Sequence, residues 1–413
     1  MSTHPQLQRR LGTFDAASIG LGSMLGAGVF AVFAPAAALA GNLLVVSVVF
    51  AGAVAYCNAV ASAALAAKFP TSGGTYVYGR EQLGEWPGFL AGWGFVTGKT
   101  ASCAAMALTF GSYVAGPFAV PVAVAAVVAL TAVNLLGITR TALLTRILLC
   151  VVLATLVFVA VAAVAGPHPS ADAGPAAAGG PGGVLPAAGL LFFAFAGYAR
   201  IATLGEEVKD PARAIPRAIL AALASAFIIY LALAVLLLHH LPGGQLAASK
   251  TPLLEAVLRS QVAAGAPMVQ AGAAAACLGA LLALITGVGR TTMAMAREGD
   301  LPRPLARIGG KHTVPYIAEL VVAAVVILLL LTTDVMTVVG FSSFGVLVYY
   351  AVANASAYTL DVHPGYAPKW LNAVGFLACL VLAFTLPPGS VLTMTAVLAA
   401  GVAGRWLVLR FRH

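Results

Sequence analysis

The chain has 413 residues, of which 61% are hydrophobic and only 8% charged, with a formal net charge of +9. So few charges cannot cover the surface of a soluble protein this long, so most of the chain must face lipid or other buried helices. The apolar runs are long, rich in Leu and Ala and unalternated, which argues for helices over barrel strands and sets the class as all-α integral membrane.

Twelve spans are expected, at about 14–39, 43–67, 87–115, 119–137, 143–165, 186–204, 214–240, 266–290, 315–332, 335–358, 370–386 and 389–407. The shorter ones approach the ~17-residue limit for crossing a bilayer. The first is too long for the apolar core of a signal peptide, and no window resembles such a peptide ahead of a soluble domain.

Span one contains "SIGLGSMLGAGVF", residues 18–30, with Gly20, Gly22, Gly26 and Gly28 close together. Two readings stay open. Gly22 and Gly26 form a GxxxG pair that would let another helix approach closely. Alternatively the helix unwinds at mid-membrane, with Ser23 and Met24 as the unwound positions. A new half-helix would then start near Gly26 and run through Ala27 and Gly28, its free N–H groups facing an anion.

Span three carries Lys99 in "GWGFVTGKTASCAAM". If the span begins near residue 87 or 88, Lys99 lies about eleven residues deep, roughly 17 Å at ~1.5 Å per residue. A charge there costs about 2.5–3.5 kcal/mol on translocon scales, so function is the first hypothesis, with a snorkelling structural lysine as the alternative. All 13 acids fall outside the middle of the spans. Lys99 is therefore expected to meet helix-end carbonyls, to be paired by substrate, or to be neutral for part of a cycle and carry a proton.

After span five, the Ala/Gly/Pro-rich segment 165–186 reads as a loop without marking a domain boundary. Span six has "FAFAGYAR", with Gly197 near the expected midplane and Arg200 three residues on. Glycine-interrupted spans at corresponding positions of two halves point to a transporter's binding site, and spans one and six correspond in a five-plus-five inverted repeat. Arg200 and Glu207 would share a helix face at i, i+7, so Arg200 either latches the inner path there or contacts substrate.

The remaining candidates read more plainly. His239 and His240 diverge as helix neighbours, and no metal is expected. Tyr113, Tyr349 and Tyr350 read as packing or belt aromatics, and Thr286, Thr291 and Thr292 as packing hydroxyls first, with hydroxyls toward a cation site beside span one as the alternative. The five cysteines (Cys57, Cys103, Cys150, Cys277, Cys379) lack metal-like spacing and read as small buried residues between helices.

Charge placement tests the topology. With the N-terminus inside, every Lys and Arg except Lys99, Arg200, Lys250 and Arg259 falls in an inner segment. This is the positive-inside pattern, with both termini cytoplasmic in the cell membrane. Topology thus accounts for the net charge, and no nucleic-acid partner is expected.

Four elements, "GLGSMLGAGVFAV", "FPTSGGTYVYGREQLGEWPGFLAGW", "FFAFAGYARIATLGEEVKDPARAIPRAI" and "GRTTMAMAREGDLPRPLARI", occur in order over nearly the whole chain. In these the chain resembles the amino acid–polyamine–organocation (APC) transporters, the APC-family amino acid permeases. The resemblance implies a LeuT-type fold in a single membrane domain over 1–413: ten core helices (about 14–358) in two inverted repeats with broken helices 1 and 6, and two peripheral helices (about 370–407). It also implies that the substrate carboxylate meets the break in span one. The substrate amino group would meet carbonyls around Phe193, Ala194 and Phe195, beside Gly197 and Tyr198.

Some members carry a lysine in span five where relatives hold sodium. That position aligns near Val152, and this chain lacks the lysine there. Cationic-amine exchangers of the family place an acid two residues after the span-six glycine, where this chain has Ala199 and then Arg200.

The expected function is therefore secondary transport of amino acids, neutral ones first, by symport or exchange. Lys99, Arg200 and Tyr198 are the candidates for coupling or gating, proton coupling is one reading, and no cofactor is required. The alternatives are a cationic amino acid or polyamine antiporter, and a non-transporting sensor. An intramembrane enzyme is disfavoured, because the spans present no paired acids, His cluster or nucleophile–base arrangement.

Overall fold

The computed structural model describes residues 11–70, 74–136, 142–165, 179–202, 204, 207–241, 244–309 and 314–410. Most of the expected loop 165–186 lies outside these, as do Glu206 and the inner-segment cations Arg9, Arg10, Arg140, Lys311 and Arg412.

The described chain is helical: α1 Thr13–Met24, α2 Ala27–Ala31, α3 Phe33–Ala40, α4 Leu44–Lys68, α5 Gly74–Leu83, α6 Glu85–Ala115, α7 Ala119–Leu135, α8 Ala142–Ala165 and α9 Val184–Phe195. It continues with α10 Ala199–Ala202, α11 Pro211–His240, α12 Gly244–Ala248, α13 Pro252–Leu258, α14 Ala266–Arg297, α15 Tyr316–Thr332, α16 Val335–Tyr358, α17 Lys369–Thr385 and α18 Pro388–Arg410. Nine helical stretches among the described residues are long and apolar enough to cross a membrane; Tyr316–Thr332 and Lys369–Thr385 are apolar but shorter. One of the nine, Glu85–Leu135, is α6 and α7 joined through a 3₁₀ turn at Gly116–Phe118. Helices are the form these segments must take in lipid, where backbone groups have to be satisfied within the chain.

Helix ends follow local chemistry. Asp15 accepts from the Gly12 N–H (3.1 Å) at the start of α1 and pairs with Arg146 of α8. Asp334 caps α16 by accepting from the Thr337 N–H (2.9 Å). Helix α14 runs on to Arg297, past the span end expected near residue 290. At ~1.5 Å per residue its 32 residues reach about 48 Å, longer than a ~30 Å hydrocarbon layer.

The core is built by small residues and a few buried polar ties. Asn354 donates to Asn58 Oδ1 (2.6 Å) and the Cys379 thiol donates to the same oxygen (3.1 Å), joining α16, α17 and α4. Cys150 corrects one expectation: it is exposed on α8, whereas the other four cysteines are buried.

Candidate functional site

Both glycine-interrupted spans are discontinuous. The first is interrupted at Leu25 and Gly26, between α1 and α2. Ser23 and Met24 are therefore still helical, and the Ser23 hydroxyl donates back to the Ile19 carbonyl (2.8 Å). The expected unwound positions shift by two residues. The other span passes from α9 through a 3₁₀ turn, Ala196–Tyr198, into α10.

The two interruptions pack directly on each other. A Cβ added at Gly28 would stand 2.7 Å from Ala194 Cα, and one at Gly197 would stand 2.5 Å from the Met24 nitrogen and the Ser23 carbonyl carbon. Only hydrogen fits between backbones that close. Tyr230 of α11 ties the pair: its hydroxyl lies 2.6 Å from the Met24 carbonyl oxygen and 3.1 Å from that of Ala194, sharing one proton between them. Its ring stands edge-on to Phe195, with centroids 4.9 Å apart. Tyr350 of α16 donates to the Ala196 carbonyl (3.4 Å), and its ring lies 5.1 Å from that of Tyr198. Carbonyls released by the interruptions thus find tyrosine donors, which removes the cost of buried unpaired acceptors.

A cavity of about 570 Å³ opens beside the interruptions. One wall is Ser23, Met24, Gly28, Phe193, Ala194, Ala196 and Gly197. The facing wall is one stripe of α6, Phe95, Lys99, Ser102 and Met106, spaced as a single helix face. Ala280, Ala283, Leu284 and Gly287 of α14 complete it. From there the cavity continues past Arg200, Glu207, Arg290, Arg297 and Glu298. Toward the other end of α6, Tyr113 ties α6 to α2 and α13: its hydroxyl donates to the Phe30 carbonyl (3.2 Å) and accepts from the Leu253 N–H (3.4 Å).

Lys99 is buried, with 7% of its surface exposed. It stands fourteen residues after the start of α6 at Glu85, somewhat deeper than the sequence suggested. Arg200 also lines the cavity, with Arg290 and Glu207 as charged groups acting on it. The i, i+7 relation to Glu207 does not apply, because α10 spans Ala199–Ala202 and Glu207 is itself a turn residue outside it.

At the charged end Asp300 gathers three donors: Tyr76 (2.8 Å), Arg80 (2.9 Å) and Arg405 of α18 (2.8 Å). Arg405 also reaches Glu85 (2.9 Å) and lies over the Trp86 ring. Burial first, and then the Asp300 carboxylate, push the Tyr76 hydroxyl up, so it stays a donor.

Of the residues singled out from sequence, Ser23, Met24, Gly28, Lys99, Phe193, Ala194, Gly197, Arg200, Glu207 and Thr291 line this cavity. Gly22, Gly26, Ala27, Phe195 and Tyr198 do not. Gly22 comes nearest Thr145 of α8, Gly26 packs on Ala280, Ala27 is fully buried, and Phe195 and Tyr198 pack against tyrosines. The sequence reading missed the α6 stripe apart from Lys99, the small residues of α14, and Tyr230. An i, i+3, i+7 count from Lys99 would have found Ser102 and Met106; nothing local marks Tyr230.

The profile of the amino acid permease family matches residues 11–403. An uncharacterized transporter of Mycobacterium tuberculosis is 56% identical over 403 residues, covering 96% of this chain and 91% of the relative. The branched-chain amino acid permease BcaP of Bacillus subtilis is 30% identical over 346 residues, 77% of this chain and 73% of the relative. Cationic amino acid transporter 7, chloroplastic, of Arabidopsis thaliana is 27% identical over 396 residues, 88% and 68% of the two chains. The family and these relatives are transporters, not enzymes.

Proposed function

The chain belongs to the amino acid permease family, and from that premise we propose that it is a secondary active transporter moving neutral amino acids by alternating access. The observation that carries this reading is the meeting of two interrupted helices, Gly28 on Ala194 and Gly197 on Ser23–Met24, beside one cavity. Interrupted helices at a repeat interface are how many transporters present backbone groups to a substrate. The substrate ammonium would face the carbonyl side of Phe193–Phe195 and its carboxylate the interruption after Met24.

In this reading the chain is one membrane domain of LeuT type with five-plus-five inverted repeats. It has twelve crossings once α6 and α7 count separately and the two shorter apolar helices are included, the last two being peripheral. The charged end of the cavity is cytoplasmic, and the Tyr113 end is the closed outer side.

Substrate charge is argued from the lining. Lys99, Arg200, Arg290 and Arg297 outnumber Glu207 and Glu298, which disfavours a dication. The apolar side chains Phe95, Met106, Phe193 and Leu284 suit an aliphatic substrate, and the likeness to a branched-chain amino acid permease points the same way. The likeness to a cationic amino acid transporter marks the second reading.

Counterflow in proteoliposomes against neutral, acidic and cationic amino acids, with and without a pH gradient, tests the proposal. Saturable exchange of neutral amino acids is expected. Selective exchange of arginine or polyamines would overturn the substrate preference, and binding without flux would point to a sensor.

A further inference from the structure

The cavity holds a charge that the described residues leave uncompensated. Lys99 makes no hydrogen bond or ion pair among the described residues, although it is buried in the middle of α6. Its ammonium is not sealed in protein: Lys99 lines the cavity on the same face as Phe95, Ser102 and Met106. The two acids in the lining are engaged nearer the charged end. Glu298 pairs with Arg80 (3.7 Å), and Glu207 acts on Arg200. Ser102 beside Lys99 is also committed, bonded to Ser342 Oγ (2.7 Å). A buried cation among the apolar lining residues Phe95, Met106, Phe193 and Leu284, next to two interrupted helices, calls for an anion that arrives from outside.

We propose that Lys99 is a specificity residue whose ammonium is paired by a carboxylate of the transported amino acid. This rests on the amino-acid transport reading and deepens it: a substrate must bring a carboxylate to the α6 wall, so amines without one are refused. Two carboxylates could supply the charge, the α-carboxylate common to all amino acids or the side-chain carboxylate of an acidic one. In the first case the α-carboxylate lies between the interruption after Met24 and the Lys99 ammonium and is held from both sides, so Lys99 sets a general requirement for a zwitterion. In the second it makes glutamate a better substrate than glutamine.

Full-length wild type, Lys99→Gln and Lys99→Arg are compared in proteoliposomes by counterflow with leucine, 3-methylbutylamine (leucine without its carboxylate), glutamate and glutamine. Binding to the detergent-purified proteins is read in parallel by thermal shift. If the α-carboxylate is the partner, wild type exchanges leucine and not 3-methylbutylamine. Lys99→Gln then raises the leucine KM about 10- to 100-fold, roughly one to two steps of 1.4 kcal/mol, and Lys99→Arg recovers part of the loss. If the side-chain carboxylate is the partner, wild type prefers glutamate to glutamine at least about tenfold. Lys99→Gln then abolishes that ratio, weakening glutamate exchange far more than glutamine exchange.

Unchanged KM values and an unchanged glutamate/glutamine ratio in a monodisperse Lys99→Gln protein would overturn the proposal. Wild type that exchanges 3-methylbutylamine as well as leucine, and glutamine as well as glutamate, would overturn it without any variant. Wild type that exchanges and binds no amino acid removes the transport reading and this inference with it, a result distinct from a silent Lys99 variant in a working transporter.

Discussion

Tyr230 holds a position at the residue scale that its sequence neighbourhood does not advertise. It is buried in α11, in a run of Ile, Leu and Ala, and its hydroxyl serves the carbonyls of Met24 and Ala194, one from each interrupted span. With one proton and two acceptors, the hydroxyl holds both oxygens at a fixed separation. Tyr230→Phe keeps the ring against Phe195 and removes only that tie. Leaving buried acceptors unpaired costs about 1–3 kcal/mol, so thermal unfolding in detergent should show a destabilisation of that size. The same variant should weaken exchange, because the carbonyls proposed to meet the substrate ammonium lose their fixed placement. An unchanged unfolding temperature together with unchanged exchange would remove Tyr230 from the site.

The close approach of two helices at the element scale depends on hydrogen being the side chain at Gly28 and Gly197. At Gly197 an added methyl would meet backbone, the Met24 nitrogen and Ser23 carbonyl carbon at 2.5 Å, and backbone cannot rotate away as a side chain can. Gly197→Ala must therefore push α1 off the α9–α10 turn. The expected outcome is a loss of exchange of about tenfold or more and a stability loss of about 1–3 kcal/mol, the range for overpacking. Gly404→Ala in α18 serves as the control, since nothing lies within 4 Å of a Cβ there. Equal effects from both substitutions would mean that the approach of the interruptions has no special role. The displacement of the interruption from Ser23–Met24 to Leu25–Gly26 belongs to this scale too. Gly26 packs against Ala280, so the chain leaves the helix where a neighbouring helix needs room.

Considered as a whole molecule, the chain distributes charge unevenly. Asp300 joins Tyr76, Arg80 and Arg405, so the segment after α14, helix α5 and helix α18 are tied at one end of the bundle. The start of the described chain joins that end. Leu11 donates to the Glu207 carbonyl (3.0 Å) and accepts from the Lys209 N–H (2.9 Å), which fastens the entry to α1 to the segment leaving α10. The interrupted spans are thus linked at this end as well as at the interruptions. If the positive-inside pattern holds, this end is cytoplasmic. A fluorescent-protein reporter fused at the C-terminus should fluoresce, and an alkaline phosphatase fusion there should be inactive. The reverse pattern would invert the proposed orientation of the cavity.

Much of the architecture was legible in the sequence, because a bilayer imposes strong and local rules. Apolar runs of sufficient length must be helices, and glycines at residues 20–28 and 197 mark where a helix gives way. Lys99 and Arg200 stood out for the same reason, a charge amid apolar neighbours, and both line the cavity. What the sequence could not supply was the set of partners. The Arg200–Glu207 spacing assumed a helix that ends at Ala202, and Cys150 looked like its buried counterparts although it faces outward. Tyr230, Ser102 and the small residues of α14 gained their roles only from what stands opposite them. Composition, span order and charge bias belong to the sequence by itself, since they depend on transfer of each segment between water and lipid. Tertiary structure alone decided that the two interruptions touch, that Tyr230 bridges them, and that Lys99 faces the space beside them. Those facts depend on distances between residues far apart in the chain, which no local pattern encodes.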